Sequence, residues 1–208
     1  MFAGRARAPE AISRSIRRSA LALALLGLAI TACGTSGPPF ALQSVSGLLP
    51  RLQFQLTDQN DRPVTAQDYR GKVVLLYFGY TNCPDACPTT LTTLAAVMHR
   101  LGPQAANVRV LFVSVDPQRD TSLVLKRYVG FFGPQFVGLR GDDAEITTLT
   151  QRYRVAYHHE PPDRNGYYAV DHSSAIFIFD TAGRARLLAQ EGDGAQMIAQ
   201  DLRRLAAS

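Results

Sequence analysis

The sequence predicts an α/β domain of three layers, in which helices cover a mixed central sheet. Three segments are apolar almost throughout, as is typical of central strands that are buried on both faces. They are residues 72–78, 108–115 and 174–180. Segments with helical spacing of apolar residues separate these strands, and such alternation of strand and helix is typical of an α/β fold.

The helices and the shorter strands are placed by the same periodicity. The helical segments are residues 89–101, 121–131, 142–153 and 195–205, the third of them with an aspartate cap. The shorter strands are residues 52–56, 136–139 and 185–189. The last of these is expected to form an antiparallel hairpin with the third buried strand, which makes the sheet mixed. Residues 154–170 show no regular pattern and are predicted to be irregular.

Two cysteines stand where the first buried strand gives way to a helix. Cys83 and Cys87 are separated by Pro84-Asp85-Ala86, and Pro88 follows directly. Because proline is accepted at the first helical position and resisted further in, the helix is expected to begin at Cys87 or Pro88. The positive end of the helix dipole is then expected to favour thiolate over thiol. This placement of a thiol pair is thioredoxin-like, so the predicted fold is thioredoxin-like with an added hairpin.

A third metal-binding side chain precedes the last buried strand. Thioredoxin-like enzymes usually carry a cis-proline in this loop, which faces the cysteines, whereas this chain carries His172. Two thiolates and one imidazole form a soft set of three ligands, which favours Cu(I) and also suits Cu(II). The same set describes an open zinc site. Asp171 can orient the imidazole or add a weak oxygen ligand.

Four segments make the chain resemble the Sco/SenC family of copper chaperones for cytochrome c oxidase assembly. They are residues 77–88 (YFGYTNCPDACP), 113–121 (VSVDPQRDT), 138–141 (GLRG) and 170–174 (VDHSS). The chain departs from the family pattern at Ser122, where proline is frequent, and at Arg140, where threonine is common. Neither departure touches a proposed ligand.

The resemblance implies a membrane-attached thioredoxin fold with copper, as Cu(I), Cu(II) or both, bound by Cys83, Cys87 and His172. It implies a metallochaperone rather than an enzyme, which assists assembly of the dinuclear copper centre of oxidase subunit II or serves another copper protein. Two alternatives stay open. Cys83 and Cys87 can form a redox disulfide, and the chain would then be a thiol–disulfide oxidoreductase that reduces the copper-site cysteines of the oxidase without needing His172. A redox or copper sensor with no delivery role is the other alternative.

A group of charged residues follows the second buried strand. Asp116, Arg119 and Asp120 are expected to form a turn and a helix cap, because aspartates near a helix start are capping residues by default. The alternative is an ion-pair group beside the metal ligands, in which Asp116 supports the site without binding the metal.

The basic residues at the start of the chain indicate an export signal rather than a nucleic-acid surface. Five of the 22 basic and one of the 17 acidic residues precede Cys33, so residues 33–208 carry 17 basic and 16 acidic side chains and are nearly neutral. The apolar run 20–30 is shorter than the ~20 residues that a membrane-spanning helix needs. Small residues then lead into Cys33 in a pattern similar to a bacterial lipobox. An ordinary secretory signal, with Cys33 as a spectator, is the alternative.

The expected organisation is a lipoprotein signal peptide at residues 1–32, a tether at 33–50 and the thioredoxin-like domain at 51–208. Export would place the domain in the bacterial cell envelope, lipid-anchored to the outer face of the cytoplasmic membrane. Its partners would be that membrane and a copper protein, with no nucleic acid. In an oxidising compartment a cysteine pair closes to a disulfide unless a metal or a reductant intervenes.

Replacing the lipidation residue tests this organisation. The Cys33→Ser variant is expected to stay uncleaved or to lose its lipid, because the thiol that would carry the lipid is gone. Mass spectrometry of the exported protein and membrane fractionation measure the two effects. Unchanged mass and fractionation would favour the ordinary secretory signal.

Overall fold

The described part of the chain is built on a mixed sheet of eight strands. The computed structural model describes residues 39–206. The strands within this range are β1 (Gln43–Ser44), β2 (Gln55–Asp58), β3 (Pro63–Thr65), β4 (Val73–Gly79), β5 (Val108–Ser114), β6 (Phe136–Arg140), β7 (Tyr157–His159), β8 (Val170–His172), β9 (Ile176–Phe179) and β10 (Ala185–Ala189). The α-helices are α1 (Ala86–Leu101), α2 (Ser122–Gly130), α3 (Asp143–Tyr153) and α4 (Ala195–Ala206), and short 3-10 helices lie at Ala66–Tyr69 and Gly102–Asn107.

The sheet has the strand order β1-β10-β9-β4-β5-β6-β2-β3. The central strands β4, β5 and β6 are parallel, whereas β9 and β10 form an antiparallel hairpin against β4. At the other side β2 pairs antiparallel with β6 and with β3. The predicted α/β architecture, with a mixed sheet and an added hairpin, is therefore confirmed.

Two hydrophobic clusters lie on opposite faces of the sheet. Every residue of β4 is buried, and alternate side chains of the strand enter different clusters, as the period of two requires. Tyr77 faces the cluster formed with α1, α2 and α4, whereas Phe78 faces the cluster formed with α3. The predicted three layers are therefore present.

The end of the expected tether takes part in this core. Strand β1 pairs antiparallel with β10, and Leu42 and Val45 on either side of it are buried. The main-chain N–H of Leu42 donates to Oδ2 of Asp201 in α4 at 2.8 Å. A strand of two residues is too short to show periodicity, which is why the sequence did not reveal it.

The segment 154–170, predicted to be irregular, contains strand β7 and the first residue of β8, which together form a second sheet of two strands. Strands β7 and β8 pair antiparallel, and Tyr157 stands opposite His172. Three-residue strands show little alternation, and Pro161-Pro162 between them is typical of a loop. The prediction was therefore wrong for the ends of this segment, and the hairpin that it missed carries His172.

Within residues 39–206, no helix has both the length and the apolar character that crossing a membrane requires. The expected signal peptide and Cys33 lie outside the described residues.

The contribution of residues 39–50 can be measured by truncation. A chain that begins at residue 51 is expected to be less stable than one that begins at residue 39. It lacks Leu42 and Val45, and burial of each such side chain contributes ~1.5–3 kcal/mol, so the free energy of unfolding is expected to fall by ~3 kcal/mol or more. Urea denaturation measures the difference. Leu48→Ala in the longer chain is the control, because Leu48 is 67% exposed. Equal stability of the two chains would show that residues 39–50 are only a tether.

Candidate metal centre

The cysteine pair lies where β4 ends and α1 begins. Helix α1 begins at Ala86, one residue before Cys87, the earlier of the two predicted starts, and Asp85 is its N-cap. Cys87 is therefore the second residue of the helix, where a main-chain N–H has no partner within the helix. This N–H donates to Sγ of Cys83 at 3.4 Å. The start of α1 thus positions both sulfurs. Sγ of Cys87 belongs to a residue of the helix, and Sγ of Cys83 accepts a hydrogen bond from the helix main chain.

His172 reaches the cysteines from the β7–β8 hairpin. Its Nε2 lies 3.3 Å from Sγ of Cys87, and its Nδ1 lies 3.0 Å from the carbonyl oxygen of Ser173. Because a carbonyl oxygen can only accept, Nδ1 carries a proton, and in the neutral ring the lone pair of Nε2 is left for a metal. The rings of Tyr77 and Tyr80 meet the imidazole edge-on, with centroids 6.1 and 5.9 Å away. These contacts fix the ring in the orientation that points Nε2 at the sulfur.

The three predicted ligands converge on one point. One ligand atom from each of Cys83, Cys87 and His172 lies within 4.8 Å of the other two, and both cysteines are free thiols. Among the described residues, no other group of three histidine, cysteine or acidic side chains shows such spacing. Cys87 is fully buried, whereas Cys83 and His172 are half-buried. The site is therefore closed behind Cys87 and open on the side of the other two ligands.

The protonation of Cys87 differs from what the helix dipole predicts. Burial raises the pKa of the Cys87 thiol to about 12, although hydrogen bonds from the main chain of Tyr80 and the hydroxyl of Tyr77 act in the opposite direction. The Tyr77 hydroxyl lies 3.6 Å from the sulfur. Loss of hydration disfavours the charged thiolate more than the helix end favours it. The expectation of a thiolate is therefore wrong for Cys87 in the absence of metal.

A buried carboxylate after β5 holds the cysteine turn. Asp120 accepts hydrogen bonds from the N–H of Thr81 at 3.0 Å, from its hydroxyl at 2.5 Å and from the hydroxyl of Ser114 at 2.6 Å. Thr81 stands two residues before Cys83. The predicted capping role of Asp120 is wrong, because Thr121 caps α2 by accepting from the N–H of Val124. The cysteine turn is therefore tied to the end of the neighbouring strand.

A second buried carboxylate in the same loop holds the hairpin. Oδ1 of Asp116 accepts from the hydroxyl of Tyr168 at 2.8 Å, and Oδ2 of Asp116 pairs with Nε of Arg119. The guanidinium of Arg119 lies 3.5 Å from the centroid of the Tyr168 ring and donates to the main-chain oxygen of Tyr168 at 2.9 Å. Asp116 therefore acts on the hairpin that carries His172, and it forms a buried ion pair rather than a simple turn.

Asp171 takes neither of its predicted roles in this structure. It is exposed, and as the neighbour of His172 in β8 it lies on the other face of the strand. The carbonyl oxygen of Ser173 orients the imidazole instead. Every residue has a main-chain carbonyl group, so the residue types in the sequence could not identify this partner.

Gly79, the last residue of β4, allows the helix to approach the strand, and sequence reasoning missed it. A Cβ at this position would lie 2.7 Å from Sγ of Cys87 and 2.8 Å from Cε2 of Phe112. Glycine inside a strand often marks a close approach of this kind, and that signal was present in the motif.

The Gly79→Ala variant is expected to displace the sulfur of Cys87 and to lower the free energy of unfolding by ~1–3 kcal/mol, the range for overpacking. Urea denaturation and the alkylation rate of Cys87 measure the two effects. Gly130→Ala is the matched control, because a Cβ at Gly130 meets no atom within 4 Å. If Gly79→Ala, like the control, keeps the stability and the alkylation rate of the unmodified protein, the contact between β4 and α1 is not as tight as the distances indicate.

Comparison with known proteins agrees with this geometry. The SCO2-like protein of Rickettsia felis is 36% identical over 132 residues, and the bovine mitochondrial SCO2 homologue is 39% identical over 153 residues. These matches cover 63% and 73% of this chain but 64% and 58% of the relatives, so the chain spans less than two thirds of their length.

Solved structures give the same result. The copper-bound structure of ScoI from Bradyrhizobium japonicum is 40% identical, with a TM-score of 0.69 over 74% of this chain and 98% of that one. Apo Sco1 from Thermus thermophilus is 35% identical, with a TM-score of 0.70 over 81% of this chain and 99% of that one. The predicted thioredoxin-like fold is therefore confirmed. The SCO1/SenC family model matches residues 49–207, and the chain belongs to the SCO1/SenC family.

Proposed function

We propose that this protein binds copper and assists assembly of cytochrome c oxidase. Copper is the cargo, held by Cys83, Cys87 and His172 and passed to the dinuclear copper centre of subunit II or to another copper protein. The observation that carries the proposal is the convergence of the three ligand atoms within 4.8 Å. The copper-bound structures of the relatives from Bradyrhizobium japonicum and yeast, 40% and 30% identical, support the choice of metal.

The ligand set suits a soft metal that must later leave. Thiolates favour Cu(I), and an imidazole nitrogen is accepted by both copper oxidation states. Structural zinc sites are almost always closed by four protein ligands, whereas this site has three. With three protein ligands, the metal has a position free. A ligand of the receiving protein can bind there before the first bond between copper and this protein breaks.

The burial of the ligands gives this exchange a direction. Cys87 is fully buried against β4, and an incoming ligand cannot reach the metal from that side. Cys83 and His172 are half-buried, so a receiving protein can approach the metal past them. Cys87 binds as thiolate, and copper therefore replaces a proton that burial otherwise retains.

The same proposal includes attachment to a membrane. A lipid on Cys33 would hold the domain at the outer face of the cytoplasmic membrane. The near-neutral charge of residues 33–208 supports a protein partner rather than nucleic acid.

A thiol–disulfide oxidoreductase is the second candidate. Both cysteines are free, and the more exposed Cys83 can attack a disulfide of the oxidase copper site. Cys87 would then displace the partner from the mixed disulfide, so that two electrons and two protons pass to the partner and the Cys83–Cys87 disulfide forms. This activity does not require His172.

Replacement of His172 separates the two candidates. For His172→Ala, the copper affinity is expected to fall by more than the ~10–100-fold typical of changes outside the ligands, because a direct ligand is lost. The thiolate-to-copper charge-transfer absorption of the Cu(II) form is expected to change as well. Competition titration and absorption spectroscopy measure these effects, and oxidase activity in cells reports on assembly.

The matched control is His158→Ala, because His158 is an exposed residue of the same hairpin. This variant is expected to bind copper as the unmodified protein does. If His172→Ala also binds copper with unchanged affinity and spectrum, the three-ligand site is wrong. If it loses copper but supports full oxidase assembly, the oxidoreductase becomes the better description.

A further inference from the structure

A groove of about 570 Å³ lies beside the cysteine turn, between the start of α1 and the outer side of α2. It is lined by five apolar or aromatic residues, two threonines and one arginine. These include Thr81, Pro88, Thr92, Val124, Tyr128 and Phe131. We call this feature the α1–α2 groove.

Apolar side chains are exposed at and beside the rim of the α1–α2 groove. Phe131, which directly follows α2, is 86% exposed, and Val124 on α2 is 37% exposed. Leu123, the neighbour of Val124, is 58% exposed but does not line the groove. The Phe131 ring contacts Phe132 edge-on, at a centroid distance of 5.4 Å. Contiguous apolar surface of this kind marks interaction sites in folded proteins. Aromatic residues of this kind often anchor a partner protein.

The α1–α2 groove adjoins the cysteine turn, although none of the three ligands lines it. Thr81 in its wall stands two residues before Cys83, and Pro88 follows Cys87 directly. A protein that places a ligand atom beside Cys83 is therefore near enough to contact this groove as well. Its side chains would enter the groove while its ligands approach the open side of the site.

The charge around the α1–α2 groove identifies the kind of surface that fits it. Lys126 and Arg127 are exposed on α2, and neither takes part in an ion pair within residues 39–206. Arg127 also lines the groove. Helix α2 has no acidic residue in its first turn to balance them. A partner surface with carboxylates around an apolar side chain would be complementary in charge.

We propose that the α1–α2 groove is the docking site for the copper-receiving protein, and that it takes an apolar or aromatic side chain flanked by carboxylates. The proposal rests on the proposed function and adds a second contact to it, separate from the metal ligands. A protein partner fits better than a membrane, because the feature is concave and adjoins the thiols, whereas a flat bilayer cannot fill a groove.

The test uses the mature full-length chain and the soluble copper-binding domain of oxidase subunit II from the same organism. Phe131→Asp is expected to weaken association by about tenfold or more, as loss of an interface anchor does. Leu48→Asp is the matched control and is expected to change association less than about twofold, because Leu48 is also a largely exposed apolar residue but lies outside the groove. Copper titration and the Cu(II) spectrum of both variants are expected to match those of the unmodified protein, because neither residue is a ligand.

The charge contribution is tested separately. Arg127→Glu is expected to slow association and to reduce its dependence on salt, whereas Arg154→Glu at the end of α3 leaves both unchanged. Association is measured with copper-loaded and with reduced metal-free protein. If the unmodified protein does not bind copper, the proposed function is wrong. Association of the metal-free form with the partner would still test the docking role of the groove.

Four results would overturn the docking proposal. The first is unchanged association of Phe131→Asp, and the second is failure of the unmodified protein to associate in either form. The third is a defect of Phe131→Asp confined to binding of vesicles rich in anionic phospholipid, which would assign the groove to the membrane. The fourth is a dimer that Phe131→Asp dissociates, which would assign the groove to a second copy of the chain.

Discussion

Two buried carboxylates in one loop hold the two halves of the metal centre together. Asp120 binds the cysteine turn through Thr81, and Asp116 binds the hairpin through Tyr168. Both carboxylates are fully buried after β5, a central strand of the sheet. Loss of either one would leave buried donors without an acceptor, which costs about 1–3 kcal/mol for each group. The ligands come from distant parts of the chain, and their convergence depends on this loop.

Burial decides how the three ligands differ from one another. Cys87 is placed against β4 because Gly79 has no side chain there, and the surrounding core removes its sulfur from water. Burial raises the pKa of the Cys87 thiol, so a metal must replace a tightly held proton. Cys83 and His172 lie nearer the surface. The site therefore has one deeply buried ligand and two accessible ligands. Such a site suits a metal that is passed on better than one that is permanently enclosed.

The topology also explains why a groove opens beside the cysteines. Strands β4, β5 and β6 are parallel neighbours, and right-handed crossovers place α1 and α2 on the same face of the sheet. Both helices begin at the carboxyl ends of these strands, which is the edge where sites in open α/β sheets lie. The space between them is therefore next to the start of α1, which carries Cys87. Phe131 lies at its rim, exposed rather than packed into the core.

The sequence by itself determined the buried strands, the helices, the thiol motif and the family, because local periodicity and a specific set of short motifs carry that information. Cys83, Cys87 and His172 were predicted as ligands from residue type, position and the family resemblance, and the structure brings their ligand atoms together. Tertiary structure decided the β7–β8 hairpin, the partners of Asp116 and Asp120, and the protonation of Cys87. Each of these depends on contacts between residues far apart in the chain, or on the loss of water around a group. Neither can be read from a local pattern.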